Sequence, residues 1–475
     1  MTHPSTARQR GGPGRGFLIL AFIVLFVALT FGGGTHGDAL SSAVVRLASV
    51  PLLAVAIWRL FDGRASPPSP AAMVLLVLIV SVPLLQSLAL PPEVWTRLPG
   101  RAGLAVDYRS AGVAPPWLPI SLTPYETGDA VLGLAPPVAM FLATLSLDAA
   151  ARRRLMFAIP AFALAAVALG MLQAAGGDLS PLRFYAETNR DSGVGFFANR
   201  NHEAALLVVS IALAPLWMTA APQQARGSKH LGRFLVFAIE IVLIVGVGVT
   251  RSRAGVLLAI GALLGGLLVG AGMRRDGSFR GSAIALVTAA VVGSGLVGLF
   301  ALTRLAERFH TPLDAELRLQ ALPLIERAAV GYFPFGSGLG SFDQVYRGVE
   351  PLAGVSTVFL NHAHNDFLEL WLETGAMGLL LLGGFTLWWA WSTFRLFRSA
   401  RRWKGDGVRA TASLVIALLV VHSAVDYPLR TAALAVIFAL CCGVLAAGDP
   451  GVRPLRRGAR AGRPTLGRAV VPVRA

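Results

Sequence analysis

Long stretches of the chain are apolar on every side. Residues 71–90 (AAMVLLVLIVSVPLLQSLAL) and 233–250 (RFLVFAIEIVLIVGVGVT) show no polar stripe recurring at helical spacing. Such a pattern belongs to a helix surrounded by lipid and other helices, since a soluble helix keeps a polar face. One crossing takes roughly 20 mostly apolar residues. About twelve such runs begin near residues 16, 41, 71, 128, 154, 201, 233, 254, 282, 366, 408 and 430. The pattern predicts an all-α, polytopic transmembrane helix bundle of about twelve spans, with a large outer loop containing short helices.

Composition agrees: 55% of the 475 residues are hydrophobic and 14% charged, with a mean hydropathy of +0.65, which excludes an ordinary soluble protein. The first run, from Phe17 to Phe31, follows Arg8, Arg10 and Arg15 like a signal peptide, but no small-residue cleavage pattern follows it, and we expect an uncleaved span. Cys441 and Cys442 are adjacent within the last run, which speaks against a disulfide framework or a thiolate metal site.

The net charge of +17 reflects arginines in short loops and tails, not one basic face, so nucleic acid is not an expected partner. With the N-terminus inside, 27 of the 42 Lys and Arg residues fall on the cytoplasmic side, as the positive-inside rule requires. The expected organisation is a cytoplasmic tail over 1–15, spans one to nine over 16–302, a large outer loop over 303–365, spans ten to twelve over 366–447 and a basic cytoplasmic tail over 448–475. The other long outer segments are about 91–127 and 176–200. Function should concentrate on these outer loops. No Walker A pattern is present, which disfavours chemistry driven by cytosolic nucleotide.

Several polar groups gather on the outer side. Asn199-Arg200-Asn201-His202 stands at the entrance of one span, with Asn201 as the expected N-cap. Thr250-Arg251-Ser252-Arg253 places two guanidinium groups beside a helix N-terminus, where the macrodipole disfavours cations. A phosphate or diphosphate would offset that repulsion; headgroup anchoring of the arginines is the blander alternative. The outer loop carries Arg318 and Arg327, then Pro334-Phe335-Gly336-Ser337-Gly338-Leu339-Gly340-Ser341-Phe342. Its alternating glycines indicate a tight turn and lack the strand and spacing of a dinucleotide loop.

Asn361-His362-Ala363-His364-Asn365-Asp366 then leads into a long span, placing His364 at the N-terminal end of a helix, where a neutral imidazole can act as a general base. A His-x-His pair also invites metal, but positions i and i+2 do not share a helix face, and no metal is expected. Asp426 and Arg430 can pair across the last outer turn, and His422 and Glu240 are further candidates because ionisable groups at membrane depth face the bundle interior.

Four of these segments carry a family likeness: Phe197–His202, the Thr-x-Ser-Arg-x-Gly segment ending at Gly255, the stretch from Arg318 to Phe342, and His364-Asn365 with Gly375-Ala376-Met377-Gly378 beyond it. On these the chain resembles the O-antigen ligase and O-antigen polymerase superfamily of bacterial polytopic membrane glycosyltransferases. The resemblance implies an inner-membrane enzyme with its active site facing the periplasm, working without a cofactor among membrane lipids. Its donor would be an undecaprenyl-diphosphate-linked glycan and its acceptor the lipid A core or a growing glycan. Carried over, the general base falls on His364 and the diphosphate contacts on Arg253 and Arg318. Arg251, Arg200, His202 and Asn365 are supporting candidates, and Arg327 replaces Arg318 if the loop register differs, since the family often has tryptophan four residues after that arginine and this chain has Leu322. Polymerisation, transfer to a protein hydroxyl and, in another class, a polysaccharide flippase are the alternatives. A cysteine substituted at position 364 should react with a membrane-impermeant thiol reagent applied from outside; labelling only from the cytosolic side would invert the whole arrangement.

Overall fold

The structure is a computed structural model that describes residues 14–34, 39–66, 68–186, 188–219, 228–273, 317–352, 360–398 and 407–447. Apolar helices occupy Arg15–Phe31, Ala39–Phe61, Pro70–Gln86, Ala149–Ala175, Arg200–Leu213, Ser228–Thr250, Arg253–Met273, Asp366–Arg398, Gly407–His422 and Ala432–Ala446. The run expected near 128 is two helices, Pro124–Gly133 and Ala135–Ser146, meeting at Leu134. The run from 282 and both terminal tails lie outside the described residues.

Five helical stretches among the described residues are long and apolar enough to cross a membrane: Leu40–Phe61, the joined pair over Pro124–Ser146, Ala149–Ala175, Arg253–Gly270 and Asp366–Arg398. The apolar helices Arg15–Phe31, Pro70–Gln86, Phe234–Thr250, Gly407–His422 and Ala432–Ala446 are shorter. The chain is therefore a mostly helical membrane protein. A small departure from an all-α chain is an antiparallel pair of two-residue strands, Ala89–Leu90 with Leu118–Pro119.

Local chemistry sets several helix starts. Proline stands at the first turn of Pro70–Gln86 and Pro124–Gly133, where its missing N–H is not needed. Asp148 caps Ala149–Ala175 by accepting from Ala151 N at 2.7 Å, and Thr431 caps Ala432–Ala446. Two helices lie at the centre: Arg200–Leu213, buried from His202 onward, and Ala432–Ala446, buried over most of its length, including Cys441 and Cys442. A helix apolar all round belongs in such a position.

Connections gather alternately at the two ends of the bundle. At one end Ser66 N donates to Leu145 O (2.9 Å), Ser69 N to Ala446 O (3.0 Å) and Arg409 to Leu445 O (3.0 Å). At the other end Ala433 N donates to Gly32 O (3.1 Å), Gly193 N to Val249 O (3.2 Å), Leu122 N to Ser337 O (2.8 Å) and Asp366 N to Ser423 O (2.9 Å). This second end also holds helices Leu317–Tyr332 and Phe342–Val349, whose Ala321, Ile325, Phe342 and Tyr346 form a small core with Ala363 and Leu372.

Here two glycine motifs meet. Gly375 breaks the helix Asp366–Arg398 with φ 59°, and the Pro334 carbonyl enters the break to accept from Ala376 N at 2.9 Å. A Cβ on Gly375 would stand 2.1 Å from Pro334 O, and one on Gly336 2.4 Å from Glu373 O. The glycines thus serve backbone-to-backbone contact. Gly375→Ala should destabilise the protein well beyond the roughly 1–3 kcal/mol of its unfavourable backbone conformation, because the carbonyl cannot retreat without opening the turn. Gly63→Ala, at φ 68° with open space around it, should cost only that conformational term; thermal unfolding in detergent compares the two.

Candidate functional site

The polar residues at the loop-rich end converge on one carboxylate. Asp426 is fully buried. Its Oδ1 lies 3.3 Å from His364 Nδ1 and 3.7 Å from His202 Nε2, and accepts from Tyr427 N at 2.9 Å. Its Oδ2 accepts from the side-chain amide of Asn201. Asn201 in turn accepts from Ser252 Oγ at 2.7 Å, and Ser252 Oγ accepts from Gly255 N at 3.0 Å, capping the helix that Arg253 begins. One chain of hydrogen bonds therefore runs from the Ser252-Arg253 turn to His364.

Burial alone would raise the Asp426 carboxyl. The hydrogen bond from His364 and the His202 ring 3.7 Å away outweigh it and hold the group well below the usual carboxylate range. The Tyr427 ring packs among three imidazoles, with centroids 4.8 Å from His202, 4.4 Å from His362 and 4.9 Å from His364.

A second network lies beside the first. Asp366 shares one helical face with Glu369 and Glu373, and all three meet Arg430, at 3.6, 3.4 and 2.8 Å.

 Burial would lower the Arg430 guanidinium, but the three carboxylates outweigh it and raise it further above its ordinary value. The expected Asp426–Arg430 pair is thus replaced: each residue faces a separate network, because the turn at Pro428–Arg430 points them to different helices.

Other expectations are corrected in the same way. Asn199, not Asn201, caps Arg200–Leu213, accepting from Asn201 N at 2.8 Å, which releases the Asn201 side chain to bridge Ser252 and Asp426. Arg200 lies 3.4 Å from Asp191, and Arg251 lies 4.0 Å from it, so an acid of the chain itself stands between two of the cations. Arg253 is half-buried at the start of its helix. Arg327 is exposed, bonded to its own helix at Pro323 O (3.3 Å), and is not brought into either network. The side chain of Arg318 lies outside the described residues.

Asn365 caps the helix that follows it, accepting from Phe367 N and Leu368 N at 3.0 Å each. His364 directly precedes it, as expected, with a side chain 19% exposed. His362 turns instead to Glu369, with Nδ1 2.7 Å from Oε1, so the two histidines of the His-x-His pair serve different carboxylates. Among the described residues no group of three or more His, Cys, Asp or Glu has an arrangement that could hold a metal ion. His422 is buried near Asp426 and His202, whereas Glu240 is buried on a separate helix, Ser228–Thr250.

The glycine turn offers no phosphate cradle. The N–H groups of residues 336 to 342 all donate within the protein, to Tyr332 O, Leu372 O, Glu373 O, Gln86 Oε1, Glu373 Oε1, Gly338 O and Glu373 Oε1 in turn. Sequence reasoning missed the acids. Asp366, Glu369 and Glu373 are spaced three and four apart, which puts them on one helix face, and that spacing was a readable sign of a buried cation opposite. Asp426 was singled out only as a partner for Arg430, and nothing local marked Asp191.

These features define a membrane-embedded helical protein with a histidine–carboxylate site at one end of its bundle. Residues 238–383 match the family model described as O-Antigen ligase (Wzy_C), which supports the likeness of this part of the chain to the O-antigen ligase superfamily. No curated protein matches the chain.

Because the folded-state Asp426 carboxyl is depressed, its contribution to stability is fully present above the unfolded value, about 3.9, and is lost as the pH falls through the lower folded value. Asp426→Asn should therefore lower stability at pH 7 by about 1–3 kcal/mol. The gap to the wild type should stay constant down to about pH 4 and close only in stronger acid, as followed by thermal unfolding across pH.

Proposed function

We propose that the protein transfers a glycan from an undecaprenyl-diphosphate-linked donor to an acceptor hydroxyl at the periplasmic face of the bacterial inner membrane. The observation that carries this reading is His364: a partly exposed imidazole, its Nδ1 turned to a buried carboxylate, at the helix-bundle end that also holds the Arg251–Arg253 turn. With Nδ1 oriented by Asp426, Nε2 is the atom left to take a proton.

In the reaction, the acceptor oxygen attacks the anomeric carbon of the donor sugar as its proton passes to His364 Nε2. The bond from that carbon to the diphosphate oxygen breaks, the lipid diphosphate leaves with the electron pair, and the anomeric configuration inverts. Arg253 and Arg318 hold the diphosphate and neutralise the charge it gains, which is where electrostatic stabilisation matters most. Arg251 and Arg200 contribute positive potential, moderated by Asp191. His202 and Asn365 act indirectly, the first on Asp426 and the second by capping the helix behind His364.

We favour the lipid A core as acceptor, with a growing glycan chain as the second reading; both use the same donor chemistry and the same base. Deleting the gene and resolving the surface polysaccharide on a gel separates them. Loss of long glycan from lipid A with free polymer accumulating identifies ligation, single-repeat products identify polymerisation, and an unchanged pattern removes both. On complementation, His364→Ala should abolish transfer without lowering the amount of protein in the membrane, and Arg253→Ala should reduce the rate by about 10²- to 10³-fold.

A further inference from the structure

His364 has a backbone φ of 50°, a left-handed conformation that a residue with a side chain keeps only where its surroundings impose it. On the downstream side, Asn365 is anchored by its helix cap and by donating from Nδ2 to Ala424 O at 3.1 Å. On the upstream side the restraint comes from one buried carboxylate. Glu369 Oε2 accepts from Ala363 N at 2.8 Å, and Oε1 lies 2.7 Å from His362 Nδ1. Both oxygens are thus spent on the two residues immediately before His364.

Glu369 is itself held. It is fully buried, its own N–H donates to Asn365 O at 3.1 Å, and Arg430 lies 3.4 Å from Oε1. The His362 ring that it fixes packs on Tyr427, which also meets the His364 ring and whose backbone N–H donates to Asp426. A shift of His362 therefore moves the surface against which His364 and Asp426 are registered.

The geometry points to Glu369 as a positioning residue for His364, a role that rests on His364 being the base proposed above. Glu369 does not touch the reacting atoms; it sets the backbone from which the imidazole projects, through the Ala363 amide and the His362 ring. Misplacing a reacting group by about 1 Å can cost on the order of 10²-fold in rate, so the effect belongs in kcat. Binding of the donor, through arginines on other elements, should be little altered.

The test uses the full-length chain in detergent, with the lipid-linked glycan extracted from the gene-deleted strain as donor and that strain's lipid A core as acceptor. Glu369→Ala should lower kcat by about 10- to 100-fold with KM for the donor within about two-fold of wild type. Glu369→Gln, whose amide can still accept from Ala363 N and donate to His362, should recover most of the loss. His362→Ala removes one arm of the clamp and leaves Glu369 and Arg430 in place; it should produce a smaller fall. The double variant should be no slower than Glu369→Ala, because both act through one contact.

The proposal is overturned if Glu369→Ala transfers at the wild-type rate, if Glu369→Gln is as slow as Glu369→Ala, or if the loss appears in KM alone. Should Glu369→Ala fail to fold, Glu369→Gln near the wild-type rate with His362→Ala slowed in kcat supports the role, and His362→Ala at full rate removes it. His364→Ala, run in parallel, separates the two ideas. If it is inactive while Glu369→Ala is unimpaired, the base stands and the positioning role falls; if it remains active, both fall.

Discussion

A carboxylate buried at the end of a helix bundle must be met by donors or give up its charge, and the arrangement around Asp426 follows from that requirement. Asn201, Tyr427 N and His364 supply the donors, with the His202 ring 3.7 Å away. They come from a helix start, a turn and the segment before the longest helix. Satisfying one buried acid thereby helps to draw these segments together, and it leaves one imidazole turned with Nδ1 inward.

The neighbouring network repeats the same logic with the charges reversed. Arg430 is surrounded by Asp366, Glu369 and Glu373, and Glu373 extends the network into the glycine turn by accepting from Gly340 N and Phe342 N. Gln86 joins the same turn, donating to Glu373 O at 2.8 Å and accepting from Leu339 N at 3.0 Å. The glycines of the turn and of the helix break at Gly375 let backbone approach backbone, which is why these polar contacts can form without a gap. The rigid frame and the reactive segment are therefore one piece: the helix that carries the acids begins two residues after His364.

On the other side of the site an acid stands among the arginines: Asp191 lies 3.4 Å from Arg200 and 4.0 Å from Arg251.

The apolar runs alone determined that this chain forms helices and belongs in a membrane, because a backbone in lipid must satisfy its hydrogen bonds within its own segment. They also marked where most of the described helices begin, and the motifs around His364, Arg253 and Asn365 stood out in the sequence as candidates for chemistry. What only the tertiary structure decided is which partner each polar group takes. Asn201 reads locally as a helix cap, yet its side chain reaches Asp426, 225 positions away; Asp426 and Arg430 read as a pair, yet they face apart. Such pairings depend on how helices distant in the chain pack against one another, and hydropathy, being local, carries no record of that packing.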